Sequence, residues 1–186
     1  MPTWRNWLDS VSDEEFEQSD YFTHYMGLLN SERFEKILEE NDLYANFYLH
    51  AKFQDYTDNF RTKKDSHIRL ISFGEIAVNE MLMRCKMLIT DYSSVCWDVF
   101  YQDKPIIFYQ FDLEKYEEAQ GSYLDMRNNL FGDRTESLAE LLDSFEEHIQ
   151  RDFKVKPEHE IMRKEYFKFK DNKHSHHICE YIKKMK

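Results

Sequence analysis

Four short apolar runs, each leading into a helical or turn pattern, constrain the fold more than any other feature of this chain. Residues 45–50 alternate and are rich in aromatics. Residues 68–73 form a second run, stopped by Gly74. Residues 87–90 form a third, continuously apolar one, and residues 105–109 a fourth, opened by a proline that only a strand's first position tolerates. Helical patterns follow: residues 75–85 with Ile76, Met81 and Leu82 inward, and residues 94–101. Strand then helix, repeated, implies a parallel sheet with right-handed crossovers. The expected class is therefore α/β, a Rossmann-like parallel sheet flanked by helices.

The remaining segments fit around that frame. Residues 1–4 read as the end of a strand and residues 9–20 as an acidic polar loop. Residues 21–29 and 31–40 read as helices, the second capped by Ser31 with Phe34, Ile37 and Leu38 on one face. Residues 51–60 read as a short helix or turn. Residues 112–133 read as irregular and hold two of the four glycines. In residues 135–150 Leu138, Leu141, Leu142, Phe145 and Ile149 recur at helical spacing, with Thr135 as the expected cap. Residues 157–169 and 174–184 read as helices. The expectation is one domain over 1–186, with 157–186 a helical extension packed on it.

Composition excludes several classes. With 36 acidic and 25 basic residues the formal net charge is −11, which argues against a general nucleic-acid binder. Local backbone donors can still hold a small anion. Four glycines and three prolines argue against collagen and turn-dense all-β folds. Thirty of 186 residues are aromatic, enough for a substantial core. No apolar run approaches the ~20 residues of a membrane span. Cys85, Cys96 and Cys179 read as free thiols of a reducing compartment.

The segment Thr90-Asp91-Tyr92-Ser93-Ser94 joins a strand to a helix at the carboxyl edge of the sheet, where open parallel sheets bind ligands. Two serines at a helix start read as a phosphate cradle without glycines, or as an ordinary helix cap through Asp91 or Ser93. His50 ends its strand at the same edge and reads as a phosphate donor or as a structural histidine. The loop Ser72-Phe73-Gly74-Glu75-Ile76 leaves the next strand there and offers backbone and apolar surface to a base. Tyr123 and Asp125 read as ligand-facing or as part of a covering loop. His174, His176 and His177 invite a metal reading, but nothing completes a ligand set, so no metal site is expected. The aromatic run Tyr166, Phe167, Phe169 reads as packing.

The order of these pieces resembles a known family. Pro2-Thr3-Trp4-Arg5, His50, Leu88-Ile89-Thr90-Asp91-Tyr92-Ser93-Ser94, Trp97-Asp98-Val99-Phe100, Asp103-Lys104-Pro105-Ile106-Ile107-Phe108, Tyr116 and Gly121-Ser122-Tyr123-Leu124-Asp125 are similar to the CDP-glycerol glycerophosphotransferases, the teichoic-acid primases and polymerases. The resemblance covers nearly the whole chain. It implies the C-terminal, donor-binding half of a GT-B glycosyltransferase-like fold, with the acceptor half of the same protein outside this sequence. It implies transfer of glycerol phosphate, or a similar polyol phosphate, from CDP-glycerol to a hydroxyl of a teichoic-acid or capsular polymer, releasing CMP.

The resemblance also assigns roles. Ser93, Ser94, Asp91 and Thr90 are expected at the donor phosphates, with His50 stabilising the leaving phosphate. Ser72, Phe73, Gly74 and Ile76 are expected at the cytidine. Thr3, Arg5, Tyr123 and Asp125 are expected at the cleft mouth. The family's His-Pro is His50-Ala51 here. The family's general base lies in the other half, so this chain alone is expected to bind donor without turning over. No cofactor is expected. The expected location is the cytoplasm, with peripheral contact at the inner face of the cell membrane. Lys183, Lys184 and Lys186 read as a contact to anionic lipid or as a solvated helix end. Two other readings remain: a nucleotide-sugar GT-B glycosyltransferase domain for surface polysaccharide, and a non-catalytic Rossmann-like interaction domain.

Overall fold

A computed structural model describes residues 1–122 and 125–185. Among the described residues five short strands form two parallel sheets. Strand β1 (Ala45–Phe47) pairs with β2 (Ile68–Leu70). Strand β3 (Leu88–Thr90) pairs with β4 (Ile106–Tyr109), and β4 with β5 (Asp133–Thr135). Helices flank them, in the α/β class that the alternation implies. The helices are α1 (Asp13–Glu17), α2 (Asp20–Leu29), α3 (Glu32–Glu40), α4 (Val78–Arg84), α5 (Cys96–Tyr101), α6 (Leu113–Ala119), α7 (Leu138–Gln150), α8 (Pro157–Tyr166) and α9 (His174–Lys184).

Strand β4 shows why the sheet is buried on both faces. Its side chains alternate, and all four are buried. Ile107 and Tyr109 join a core with Phe34, Ile37, Leu141 and Phe145 from α3 and α7. Ile106 and Phe108 join the opposite core with Val99, Phe100 and Phe131. Gly132 leads into β5 because a side chain there would meet the Ile106 carbonyl oxygen at 2.5 Å. Helices α8 and α9 bury no residue fully. They are held to α5 by Phe167 against Phe100 and by the Tyr101 hydroxyl, which donates to the Asp171 carbonyl at 3.0 Å.

Several elements differ from the sequence reading. The acidic segment 9–20 contains α1, because Ser12 and Glu15 form a reciprocal capping box. The segment 112–133 contains α6, and β5 follows it. Ser137, not Thr135, caps α7 in a second capping box with Glu140. Thr135 is instead the last residue of β5, its hydroxyl donating to the Phe108 carbonyl at 3.3 Å. Residues 51–59 form a 3-10 segment.

The N-terminal segment is fixed by a buried charge cluster. The Arg5 guanidinium is wholly buried. It meets the Asp91 carboxylate at 2.9 Å and both Asp112 oxygens at 2.7 and 3.0 Å. Asp91 also accepts from the Thr3 N–H at 2.8 Å, the Tyr92 N–H at 2.6 Å and the Tyr25 hydroxyl at 3.0 Å. The rings of Tyr92, Tyr21 and Tyr116 surround the guanidinium, 4.8 to 5.3 Å from their centroids. Burial alone pushes the Asp91 carboxyl up, but Arg5 and these donors hold it below the usual carboxylate range. Asp133 shows the same balance: burial pushes it up, and His148, Ser144 and Lys156 hold it well below that range.

Removing one member of a buried ion cluster strands the others. Arg5→Met is expected to cost ~3–5 kcal/mol of unfolding free energy, read from urea denaturation. A loss below about 1 kcal/mol would contradict the cluster's role. Asp133 titrates lower in the folded than in the unfolded chain, where its pKa is about 3.9. Its stabilisation is therefore complete above that pH and lost on acidification through the folded value. The destabilisation by Asp133→Asn is expected to be full at pH 7 and to shrink below about pH 4.

Candidate functional site

A cavity of about 200 Å3 lies beyond the carboxyl ends of β1, β2 and β3, where an open parallel sheet binds its ligand. Tyr48, His50, Phe73, Val78, Ser93 and Val95 line it, together with Met1 and Pro2. Three of these were expected from sequence: His50, Phe73 and Ser93. They come from three different strand ends, so only the sheet brings them together.

His50 caps the 3-10 segment, its Nδ1 accepting the Lys52 N–H at 3.2 Å. A ring nitrogen that accepts carries no proton, so the neutral imidazole presents an Nε2–H donor. Burial first, and then the Lys52 charge, lower its pKa, with Asp91 opposing. The histidine is thus set to donate while neutral.

Phe73 stands on a turn closed by Gly74 at φ +83°. The Glu75 N–H donates to the Ser72 carbonyl at 3.1 Å, and the Glu75 carboxylate accepts the Ser72 N–H at 3.2 Å. Gln54 ties this turn to the His50 turn. Its amide donates to the Leu49 carbonyl at 2.7 Å and accepts the Phe73 N–H at 3.0 Å. Phe73 is 67% exposed at the cavity, an apolar plate left open among the described residues.

Ser93 is half-buried and Ser94 exposed. Neither hydroxyl caps α5, which begins at Cys96 without a side-chain cap. That start is two residues later than expected, and α5 has only six residues. The hydroxyls and the turn before the helix, rather than a long helix dipole, are what this edge offers an anion. Among the described residues neither hydroxyl has a hydrogen-bond partner.

Other expected site residues lie elsewhere. Arg5, expected at the cleft mouth, is at the centre of the buried cluster, because its charge is satisfied by Asp91 and Asp112. Asp91 is wholly buried and its carboxylate is occupied, so it positions the Ser93 turn rather than reaching a phosphate. The buried Thr90 hydroxyl donates to the Met1 carbonyl at 2.7 Å. The Thr3 hydroxyl is buried too. Ile76 faces a different cavity, between β1 and β3. The Asp125 carboxylate closes its own turn, accepting the Arg127 and Asn128 N–H groups at 3.0 Å. Tyr123 lies outside the described residues. His174 contacts the Tyr101 hydroxyl and His177 the Asp171 carboxylate. Among the described residues no three His, Cys, Asp or Glu side chains stand together as metal ligands.

Tyr48, Lys52 and Gln54 were missed. Tyr48 was findable, since in the expected strand 45–50 it lies two residues from His50 and so on the same face. Gln54 acts through backbone groups distant in sequence, and no local pattern signals that.

A sequence model of the family described as CDP-glycerol:poly(glycerophosphate) glycerophosphotransferase matches residues 1–184. The chain is 25% identical over 187 residues to the minor teichoic acid biosynthesis protein GgaB of Bacillus subtilis (strain 168), covering 96% of this chain and 20% of that protein. It is 27% identical over 150 residues to the teichoic acid ribitol-phosphate polymerase TarL of Staphylococcus aureus (strain NCTC 8325 / PS 47), covering 81% and 26%. In fold it is similar to the wall teichoic acid polymerase TagF, with TM-scores of 0.64 and 0.59 in two structures at 22% and 23% identity, covering 98% of this chain and 42% of TagF. The chain thus spans about a fifth to a quarter of the length of these curated relatives.

The imidazole arrangement has a direct check. His50 is expected to ionise below about 6.5 in a histidine NMR titration, and Lys52→Gln to raise that value. A His50 pKa above 6.5 would contradict the Nδ1 acceptor geometry.

Proposed function

The chain belongs to the CDP-glycerol:poly(glycerophosphate) glycerophosphotransferase family, and on that premise we propose that it holds the nucleotide end of a CDP-polyol donor. The observation that carries this is the meeting of His50, Ser93 and Phe73 around one cavity at the sheet's carboxyl edge. The uncovered Phe73 ring receives the cytosine face. The Ser93 and Ser94 hydroxyls and the His50 Nε2–H point their donors at the diphosphate. Phosphoryl transfer leaves little covalent work for a protein and depends on positioning and charge stabilisation. When an acceptor hydroxyl attacks the polyol-bearing phosphorus, the bond to the bridging oxygen breaks and CMP departs with the electron pair. Donors placed on the departing phosphate before the reaction lower that barrier.

Among the described residues the cavity lining holds no carboxylate, and His50 is set as a donor rather than a base. The base that takes the acceptor's proton is therefore assigned to a part of the enzyme other than this lining. The acceptor is a hydroxyl of a teichoic-acid or related polymer. Whether the polyol is glycerol or ribitol is decided at the acceptor side of the donor, away from the cytosine contacts, which suits relatives named for either. No helix among the described residues is long and apolar enough to cross a membrane. Contact of α9 lysines with an anionic leaflet would add to, and not replace, the donor site.

Calorimetric titration with CDP, CMP, UDP and GDP tests this reading. CDP is expected to bind best. His50→Ala and Ser93→Ala each remove a hydrogen bond to a charged group, worth ~1.5–3 kcal/mol, or about ten- to a hundredfold in Kd. Phe73→Ala removes a stacking face worth ~1–3 kcal/mol. Stronger binding of UDP or GDP would favour the nucleotide-sugar transferase. A folded chain that binds none of the four would overturn the donor-site assignment.

A further inference from the structure

The ladder between β1 and β2 stops one rung short of the cavity. The strands pair at a constant offset, with Ala45 opposite Ile68 and Phe47 opposite Leu70. In a parallel ladder the carbonyl of one residue accepts from the residue after its opposite number, and the pattern repeats at every second residue. The Ile71 N–H donates to the Phe47 carbonyl at 2.9 Å in this way. Two residues further on, the same offset puts His50 opposite Phe73 and calls for the Phe73 N–H to donate to the Leu49 carbonyl. Among the described residues that rung is not made.

Gln54 takes its place. The Phe73 N–H donates to Gln54 Oε1 at 3.0 Å, and Gln54 Nε2 donates to the Leu49 carbonyl at 2.7 Å. One carboxamide is thus inserted between the two backbone groups that the register would bond directly. Its orientation is fixed by its partners, since the N–H needs an oxygen and the carbonyl needs a donor. The Thr57 hydroxyl backs it, donating to the same oxygen at 3.4 Å. The residue type is specific. A glutamate at neutral pH has no hydrogen for Leu49, a methionine has neither an N–H nor a carbonyl, and an asparagine is one methylene shorter.

We propose that Gln54 is a positioning residue that splits the ladder at its carboxyl edge and so holds the His50 and Phe73 turns at the spacing the nucleotide needs. Strands joined by direct rungs lie about 4.8 Å apart. The inserted carboxamide keeps the strand ends from closing to that spacing where both residues line the cavity. Without it the rung closes, Phe73 moves onto the end of β1, and the space between base plate and phosphate donor narrows. The split costs little stability, because each backbone group keeps a partner. Loss of Gln54 therefore acts on binding more than on folding. What enters the space rests on the donor reading; the split itself does not.

The test reads scalar couplings across hydrogen bonds by NMR in the whole chain and then titrates CDP. In the wild-type chain the Phe73 nitrogen is expected to couple to the side-chain carbonyl carbon of Gln54. In Gln54→Ala it is expected to couple instead to the Leu49 carbonyl carbon, with Tm shifted by no more than about 4 °C and CDP binding weakened about tenfold or more. Gln54→Glu keeps an oxygen for the Phe73 N–H and is expected to leave the Leu49 rung open. A Gln54→Ala chain that forms no direct rung, or forms it and binds CDP as tightly as the wild type, would overturn the proposal. So would a direct rung in Gln54→Glu, which decides the matter if Gln54→Ala does not fold. A wild-type chain with the expected coupling that binds no CDP would overturn the donor reading while upholding the split.

Discussion

The Arg5 guanidinium between Asp91 and Asp112 is the interaction on which the placement of the site depends. A charge taken out of water is stable only when its partners and their remaining lone pairs are satisfied. Here the partners come from three places in the chain. Arg5 belongs to the N-terminal segment, Asp91 follows β3, and Asp112 precedes α6. Tyr92 completes the ring, its hydroxyl donating to Asp112 at 3.0 Å while its own ring stacks on Tyr116 at 3.7 Å. Satisfying one cation therefore locks the β3 turn, and with it Ser93, in a single geometry.

That division of labour explains which parts of the site were legible. The segment from Thr90 to Ser94 stands out in the sequence because of its residue types, but residue type does not say which polar groups face inward. Asp91 and Ser93 look equally fit to meet a phosphate. The structure separates them: the carboxylate is consumed by Arg5 and the hydroxyl is not. Arg5 misled for the same reason. The resemblance places it at the cleft mouth, and only its two buried carboxylate partners, far away in sequence, show it at the centre of a buried cluster.

The fold was legible where apolar residues recur at a regular spacing and lost where caps or tertiary contacts hold an element. Residues 138–150 carry a full helical stripe, and the expected helix is there. Helix α1 hid in an acidic run because its stability comes from the Ser12–Glu15 capping box and from Phe16, which stacks on Tyr56 at a centroid distance of 4.0 Å. Strand β5 hid because Asp133, Arg134 and Thr135 have no apolar alternation. They are held in the sheet by pairing with β4, by the Gly132 approach and by the ionic partners of Asp133. At β5 tertiary contacts override weak local preference, whereas α1 combines a local capping box with the tertiary packing of Phe16.

The cavity's chemistry fits its position on a divided sheet. His50 and Phe73 hang from β1 and β2 and are tied to each other by Gln54. Ser93 follows β3 and comes directly after Tyr92, whose N–H donates to Asp91 of the Arg5 cluster. Among the described residues Met1, Thr3 and Tyr25 join the two groups, Tyr25 by packing on Phe47 of β1 and donating to Asp91 after β3. A base contact on one side and phosphate contacts on the other then share their geometry only as well as that span is held. Electrostatic stabilisation of a departing phosphate tolerates little misplacement of its donors. The rigidity of the span between β1 and β3 is therefore a requirement of the site itself, as much as the identity of the histidine and the serine at its two ends.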